Sequence, residues 1–197
     1  MQVLFDIGEK MERNLEAYIK TYKMLDEETC KQTIKEIEEI HWSQHTFYNV
    51  NENSYGTRSG EKELDIGYSQ TSTKNVIMQK IWDSYLNYVK DLNFSWWSSW
   101  SGYTEVRFNR YKETRLMAEH CDHIHSIFEG ERKGIPVMTA LGSLNDDYTG
   151  GEFVMFEDTV IPFKAGEIKI FPSCFLFPHR IDPVTEGTRY SFVSWAW

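Results

Sequence analysis

Two histidines and an aspartate in the second half of the chain have the types and spacing of a metal site. His120 and Asp122 occupy positions i and i+2, and in an extended backbone two such side chains point to the same side. His179 lies downstream, after the apolar run 170–178. Two imidazoles and one carboxylate leave metal positions open for other ligands, as in non-haem Fe(II) oxygenases. A His-x-Asp pair alone is a weak signal, so the prediction depends on His179 joining it.

Arg189 adds a group that could hold the carboxylate of a bound molecule. It follows His179 by ten residues, across turn residues at 183–187. A hairpin of that length would place Arg189 on the next strand, pointing into the same barrel as His179. A buried guanidinium binds a carboxylate through two charge-assisted hydrogen bonds. A metal ion with such an arginine beside it is what chelation of a 2-oxo acid needs.

The region that must position these side chains has the pattern of β-structure. Residues 103–111 alternate polar and apolar side chains, as a half-buried strand does. Many short strands at close spacing, with turn residues between them, predict a sandwich or a barrel. The further predicted strands cover 137–144, 152–156, 159–163, 168–171 and 189–197.

The N-terminal half carries helical periodicity instead. A loose helical pattern spans 9–24, and a second pattern follows Asp26, the expected N-cap, and continues through His41. A third helix is predicted to start after Thr71 or Ser72, either of which could cap it. The predicted buried side chains of this helix are Ile77, Ile81, Trp82, Tyr85, Val89 and Leu92.

Residues 49–70 are rich in Asn, Ser, Gly and charged side chains and show no sustained period. We therefore predict a long loop, and a long loop in a compact domain is often a lid over a binding site. The expected organisation is a single domain over 1–197. In it, 1–99 would form a helical support with this candidate lid, and 100–197 would form the β-structured core.

The composition is that of a globular protein. The chain has 197 residues, of which 41% are hydrophobic and 26% charged, so wholesale disorder is excluded. The formal net charge of −9 argues against general nucleic-acid affinity. No apolar run approaches the roughly 20 residues of a membrane helix, and we see no secretion signal. Three widely spaced cysteines, Cys30, Cys121 and Cys174, predict reduced thiols and a cytoplasmic location.

Residues 103–197, about half of the chain, resemble the catalytic core of the 2-oxoglutarate/Fe(II)-dependent dioxygenases, in particular the prolyl 4-hydroxylase-like branch. The resemblance implies a mainly β fold with N-terminal helices, namely a double-stranded β-helix (a jelly roll, or cupin-like barrel) braced by those helices. The segments that carry it are Arg110-Tyr111, His120-Cys121-Asp122, 144–153, 164–167, 171–173, His179 with Pro183-Val184, and 187–191 ending in Trp195.

The resemblance also implies site roles and cofactors. His120, Asp122 and His179 would be the metal ligands of an Fe(II) catalytic centre, with 2-oxoglutarate and O2 as cosubstrates and ascorbate as a reductant. Arg189 would bind the distal carboxylate of 2-oxoglutarate, and Tyr111 would donate a hydrogen bond to it. Further cosubstrate contacts are expected from Ser191, Thr139 and Ser143. Many collagen-type prolyl 4-hydroxylases have lysine in place of Arg189, which weakens an assignment to collagen-like substrates and leaves the reaction class unchanged.

The implied reaction is hydroxylation of an unactivated C–H bond, coupled to decarboxylation of 2-oxoglutarate to succinate and CO2. A peptidyl residue, proline first, is the expected substrate, and a free amino acid or other small molecule is the alternative. A non-catalytic, metal-binding jelly-roll module is the alternative from a different class. Nucleic acid is disfavoured as a partner by the net charge, a membrane partner is not expected, and the sequence leaves the oligomeric state open.

Several residues have simpler interpretations. His123 and His125 could join His120 and Asp122 in a local zinc site, although that site would leave His179 without a role. Tyr111 could be an ordinary strand aromatic. The pair Gly150-Gly151 could supply positive φ in a turn. A mixed run of charges is usually a solvated strand face, although a basic cluster could also attract an acidic substrate. The basic residues of that cluster are Arg107, Arg110, Lys112 and Arg115.

Overall fold

The computed structural model of the chain describes residues 14–49, 52–97, 100–122 and 135–197. Within them it contains fifteen strands and two α-helices, α1 (Glu27–Ile37) and α2 (Lys74–Leu92), with single 3₁₀ turns at Leu15–Tyr18 and Gly60–Lys62. The strands are β1 (Lys20–Lys23), β2 (Ser43–Gln44), β3 (Phe47–Asn49), β4 (Ser54–Gly56), β5 (Asp65–Gly67), β6 (Arg107–Tyr111), β7 (Met117–His120), β8 (Met138–Ser143), β9 (Thr149–Gly150), β10 (Phe153–Met155), β11 (Thr159–Val160), β12 (Glu167–Pro172), β13 (His179–Ile181), β14 (Val184–Glu186) and β15 (Arg189–Ala196).

Two antiparallel sheets face each other and enclose the interior. The larger sheet has the strand order β1-β12-β8-β15-β6-β5-β2, and the smaller has the order β11-β10-β13-β7. In the second half of the chain, β6, β8, β12 and β15 of the larger sheet alternate along the sequence with β7, β10 and β13 of the smaller. This alternation is the jelly-roll arrangement, so the predicted fold class is confirmed.

The two faces of the larger sheet bury different cores because side chains alternate in direction along a strand. On β15, Val193 and Trp195 belong to the apolar cluster between the sheets. Their neighbour Phe192 belongs to the cluster beneath the helices. The same period of two places Arg189 and Ser191 on the inner side, and both are fully buried.

Helix α2 covers the outer face of the larger sheet. Its side chains Ile77, Ile81, Tyr85 and Tyr88 recur at helical spacing and are at most 1% exposed. The Tyr85 hydroxyl donates to the backbone carbonyl of Ser194, at 3.0 Å, and ties the helix to β15. Every residue of β8 is buried because this helix layer covers one face and the smaller sheet the other. Neither α-helix of the described ranges has the length and apolar composition needed to span a bilayer.

The caps of the two helices match the prediction in one case only. The Asp26 carboxylate accepts from the backbone N–H of Thr29 at 2.7 Å, so the predicted N-cap of α1 is confirmed. Helix α2 has Thr73 at its cap position, which makes no side-chain cap hydrogen bond, and the predicted caps Thr71 and Ser72 are wrong. Ser72 instead donates to Glu36 of α1, so it joins the two helices.

Two N-terminal predictions are corrected. The described part of 9–24 is a 3₁₀ turn followed by β1, because pairing with β12 at the sheet edge satisfies its backbone groups. Residues 49–70 are not a structureless loop in their described part, which contains β4, a 3₁₀ turn and β5. These strands have only three residues each, too few for a detectable period, and β5 pairs with β6.

The predicted hairpin between His179 and Arg189 is wrong. Strand β13 pairs with β7 and β10, whereas β15 pairs with β6 and β8. The residues between them form β14, which pairs with β9 and carries the chain from the smaller sheet to the larger. His179 and Arg189 therefore face the same interior from opposite sheets.

Candidate active site

The smaller sheet sets His120 beside His179. They are direct register partners on the antiparallel strands β7 and β13, and their ring centroids lie 4.4 Å apart. Asp122 follows β7, and its Oδ1 lies 3.2 Å from Nε2 of His120 and 3.7 Å from Nε2 of His179. One potential ligand atom from each residue lies within 4.8 Å of the others. The structure thus brings together the three side chains predicted as metal ligands.

The hydrogen bonds of the two imidazoles fix which ring nitrogens face the centre. Nδ1 of His120 lies 2.9 Å from the carbonyl oxygen of Ala118, and Nδ1 of His179 lies 3.1 Å from that of Phe177. A carbonyl oxygen only accepts, so each Nδ1 carries a proton, and each ring directs its Nε2 at the carboxylate of Asp122. The two Nε2 atoms and one carboxylate oxygen thus converge on one point. A cation at this point would satisfy all three, which is the usual orientation of metal-binding histidines.

Thr139 holds the other oxygen of the carboxylate. Its hydroxyl donates to Oδ2 of Asp122 at 2.7 Å and lies 2.7 Å from the hydroxyl of Ser173. This leaves Oδ1 directed at the histidines. Thr139 was predicted to line the cosubstrate pocket, and it does line the cavity beside the three residues. The hydrogen bond shows a contact that the sequence did not indicate, because 17 residues separate the two side chains.

Burial sets the protonation states of the cluster. It lowers the pKa of His179 to about 4, so this imidazole is neutral near pH 7. Burial alone would raise the pKa of Asp122, but its interactions with His179 and His120 outweigh that effect and hold the pKa well below its usual range. A deprotonated carboxylate and neutral imidazoles are the forms that bind a metal ion.

Aromatic side chains line the metal-binding cluster. The ring of His179 meets the rings of Phe153 and Phe171 edge-on, at centroid distances of 5.7 and 5.2 Å. The ring of Phe47, from the first strand of the β3–β4 hairpin, lies 5.6 Å from that of His120. These rings place apolar surface against both imidazoles and reduce the access of water.

Arg189 is fully buried and incompletely paired. Its Nε donates to the hydroxyl of Tyr148 and its Nη1 to the hydroxyl of Ser191, both at 3.1 Å. Its buried Nη2 has no hydrogen-bond partner among the described residues, and no described carboxylate lies within ion-pair distance. A buried charge with an unpaired N–H is costly. The arginine therefore fits a site for an anion that enters the barrel.

The other residues predicted to contact the cosubstrate are Tyr111, Ser191 and Ser143. Tyr111 is the register partner of Arg189 on β6, and its ring lies 5.0 Å from the guanidinium carbon. Burial raises the pKa of Tyr111, so its hydroxyl is protonated and can donate. Ser143 is buried opposite Ser191, and its hydroxyl donates to the carbonyl of Asn145 at 2.9 Å. Their roles toward a cosubstrate stay predictions.

Tyr148 is a contact of the arginine that was not predicted. It lies inside the segment 144–153, so only its position in that motif could have indicated it. The glycines that follow explain its placement. Gly150 and Gly151 have φ of +74° and +66°, which confirms the predicted turn. A Cβ on Gly151 would approach Arg189 Cδ and Tyr148 Cε2 to 3.2 Å each, so the glycine leaves room for this contact.

The metal-binding cluster opens on a narrow interior cavity between the sheets. It is lined by Arg107, Asn109, Tyr111, Met117, His120, Asp122, Thr139, Leu141, Phe171, His179, Ile181, Val193 and Trp195. His123 and His125, which the alternative zinc site would need, lie outside the described residues.

Known proteins resemble residues 106–197 in sequence, and others resemble the chain in fold. Residues 106–197 match the profile of the 2OG-Fe(II) oxygenase superfamily, where 2OG is 2-oxoglutarate. A PKHD-type hydroxylase of Delftia acidovorans is 36% identical over 98 residues, which cover 45% of this chain and 41% of that protein. One of Acaryochloris marina is 35% identical over 91 residues, covering 45% and 39%. The matches thus span about two fifths of these relatives.

Solved prolyl hydroxylases have the same fold at low sequence identity. A viral collagen prolyl hydroxylase from Paramecium Bursaria Chlorella virus-1 superposes with a TM-score of 0.65 and 16% identity, covering 91% of this chain and 95% of that one. A Trichoplax adhaerens prolyl hydroxylase, in complex with a hypoxia inducible factor peptide fragment, gives 0.65 and 15%, covering 91% and 83%. Residues 106–197, a little under half of the chain, thus resemble the 2OG-Fe(II) oxygenase superfamily in sequence. The resemblance to the prolyl 4-hydroxylase-like branch is confirmed.

Proposed function

We propose that this protein is a 2-oxoglutarate- and Fe(II)-dependent oxygenase that hydroxylates an unactivated C–H bond of a peptidyl residue, with proline as the first candidate. The observation that carries the proposal is the pairing of two unsatisfied sites in one barrel. One is the set of three metal-ligand atoms of His120, Asp122 and His179. The other is the buried, incompletely paired guanidinium of Arg189.

The residues fit the groups that the superfamily implies. His120, Asp122 and His179 would hold Fe(II), and Arg189 would bind the distal carboxylate of 2-oxoglutarate through its free Nη2. When bound, iron and 2-oxoglutarate supply the oxidation, in which O2 provides the hydroxyl oxygen of the product and 2-oxoglutarate is converted to succinate and CO2. The protein contributes orientation and the electrostatic environment.

The residues around the metal ligands and Arg189 each have a defined task in that arrangement. Thr139 fixes the carboxylate of Asp122 so that one oxygen faces the metal. Tyr148 and Ser191 hold the guanidinium of Arg189 in one orientation, and the Tyr111 ring supports it. The organisation as one domain, with 100–197 as the catalytic core on a helical support, is part of the proposal.

The segment 49–70 stays our candidate for a cover over the site. Arg58 donates to the backbone carbonyl of Glu119, one residue before His120, at 2.8 Å. The same guanidinium lies 4.3 Å from the Phe47 ring, which contacts His120. These contacts support a cover over the cluster, because they join the segment to β7 and to the Phe47 ring that contacts His120. The free cysteines Cys30, Cys121 and Cys174 support a cytoplasmic location.

The proposal is tested by anaerobic addition of Fe(II) and 2-oxoglutarate, which should give the weak absorption band of a metal-bound 2-oxo acid. Asp122→Ala and Arg189→Ala should each lose the band. Succinate release is then measured with peptides, free amino acids and oligonucleotides, and products are inspected for the mass of one added oxygen atom. A wild-type protein without the band would contradict the proposal and favour a non-catalytic module. Activity indifferent to O2 and 2-oxoglutarate would favour zinc chemistry.

A further inference from the structure

A second arginine, Arg107, is partly buried on the inner face of β6, and the proposed function gives it no task. It lines the cavity that contains His120 and Asp122. Its Nε donates to the amide oxygen of Asn109 at 3.2 Å, and its guanidinium carbon lies 4.9 Å from the Trp195 ring. Among the described residues no carboxylate lies within ion-pair distance of it. Arg110, on the opposite face of the same strand, pairs with a carboxylate in the ordinary way.

Arg107 and Arg189 lie at different levels of the barrel. On the paired strands β6 and β15, Arg189 is opposite Tyr111, whereas Arg107 is opposite Val193. Four residues along a strand correspond to about 13 Å. The two guanidinium groups are therefore too far apart to bind one carboxylate. With Arg189 assigned to the 2-oxo diacid, Arg107 is left for another molecule in the cavity that it lines.

The surroundings of Arg107 favour an anion. Burial lowers its pKa, and the opposing effects of Tyr68, Tyr111 and the Asp122 carboxylate offset this desolvation cost only in part. Trp195, beneath the guanidinium, is 9% exposed and its buried Nε1 has no hydrogen-bond partner among the described residues. A planar guanidinium and an unpaired indole N–H in one cavity can both donate to a carboxylate.

We propose that Arg107 binds a carboxylate of the substrate close to the C–H bond that is hydroxylated, and that it is a specificity-determining residue. This inference rests on the proposed function. The carboxylate could belong to a free amino acid, to the C-terminal residue of a peptide or to an acidic side chain beside the target residue. The three sources share one chemistry, and the experiment separates them.

The test measures binding, by calorimetry without O2, to protein loaded with Mn(II) and 2-oxoglutarate. Three matched probe pairs are used: L-proline with L-prolinamide, N-acetyl-L-proline with its amide, and the blocked dipeptides Ac-Pro-Asp-NH2 and Ac-Pro-Asn-NH2. We expect the acid of at least one pair to bind about tenfold more tightly than its neutral partner, as a charge-assisted hydrogen bond allows. The pair that shows the preference identifies the source of the carboxylate.

Variants assign the preference to Arg107. Arg107→Gln should reduce it to less than about twofold, and Arg107→Lys should retain part of it. Arg110→Gln changes the neighbouring arginine on the other face of β6 and should leave the preference intact. The affinity for 2-oxoglutarate should be unchanged in Arg107→Gln, which also shows that this variant is folded.

Three results would overturn the inference: no acid preferred in any pair, a preference that survives in Arg107→Gln, or a large loss of 2-oxoglutarate affinity in that variant. The last would assign Arg107 to the cosubstrate. Failure of the proposed function is distinguishable, because the wild-type protein would then not bind 2-oxoglutarate in a metal-dependent way.

Discussion

Replacement of Arg189 by methionine separates a binding role from a structural role. The side chain is fully buried, makes hydrogen bonds to Tyr148 and Ser191, and leaves Nη2 unpaired. Arg189→Met loses the two bonds, each worth about 1.5–3 kcal/mol, and removes a buried charge and an unsatisfied donor that cost a similar amount or more. We therefore expect the free energy of unfolding without ligand to stay within about 1 kcal/mol of wild type, or to rise.

Binding of 2-oxoglutarate should respond in the opposite way. Truncation of one partner of a buried, hydrogen-bonded charge pair costs about 2–5 kcal/mol, which is a roughly 30- to 5,000-fold weaker affinity. Calorimetry with the Mn(II)-loaded protein measures this directly. At a 2-oxoglutarate concentration of about 100 times the wild-type Kd, the wild type should gain about 2.7 kcal/mol of stability. The variant should gain only about 0.9 kcal/mol if its affinity falls 30-fold, and almost none if it falls 5,000-fold.

Arg110→Met is the matched control. Arg110 pairs with Asp65 at 3.0 Å, and both side chains are mostly buried, so its loss leaves a carboxylate without its partner. This control should be less stable than the wild type and bind 2-oxoglutarate normally. The reasoning is refuted if Arg189→Met unfolds like the control and keeps its 2-oxoglutarate affinity within about threefold.

Three further predictions follow from the same geometry. Thr139→Val should weaken metal binding by about 10- to 100-fold, measured by metal titration, because Asp122 loses the bond that orients it. Gly151→Ala should lower the melting temperature and the 2-oxoglutarate affinity together, since its φ is +66° and the new Cβ approaches Arg189. Burial lowers the pKa of His45 to about 3, so only the unfolded state takes up this proton between pH 6.5 and about 3. The free energy of unfolding of the metal-free protein should therefore fall as pH falls through that window, by up to about 1.4 kcal/mol per pH unit from this group. In acid-unfolding curves, His45→Leu should reduce this dependence of the unfolding free energy on pH. An unchanged dependence contradicts the assignment.

Two residues of the metal-binding cluster could be predicted from a local signal, whereas the role of His179 came from the resemblance to a known family. His120 and Asp122 are two positions apart, and alternation along a strand places both on one side. The strands β6, β8, β12 and β15 were predicted for the same reason, since each is long enough to show a period of two or a buried run. The Asp26 cap is likewise a short-range pattern.

What could not be predicted depends on distant partners. The pairing of β13 with β7 is set by the register between two segments about 60 residues apart, which no local pattern encodes. The bond from Thr139 to Asp122 and the contact of Tyr148 with Arg189 arise only after the sheets face each other. Very short strands such as β4 and β5 owe their existence to a neighbouring strand or turn rather than to their own composition.

Two places in the barrel lack partners of opposite kinds: one lacks a cation and the other lacks an acceptor for a hydrogen bond. This is the strongest physical reason to assign a ligand to the barrel. Near β7 and β13, the Nε2 atoms of two imidazoles converge on one carboxylate oxygen, so three potential metal ligands meet at one point. At Arg189 a buried donor lacks an acceptor. Folding alone favours neither state, because each could be relieved by an apolar substitution. A chain that retains both, inside a well-packed helix and sheet framework, retains them for a ligand that completes both at once, and a metal ion bound to a diacid is such a ligand.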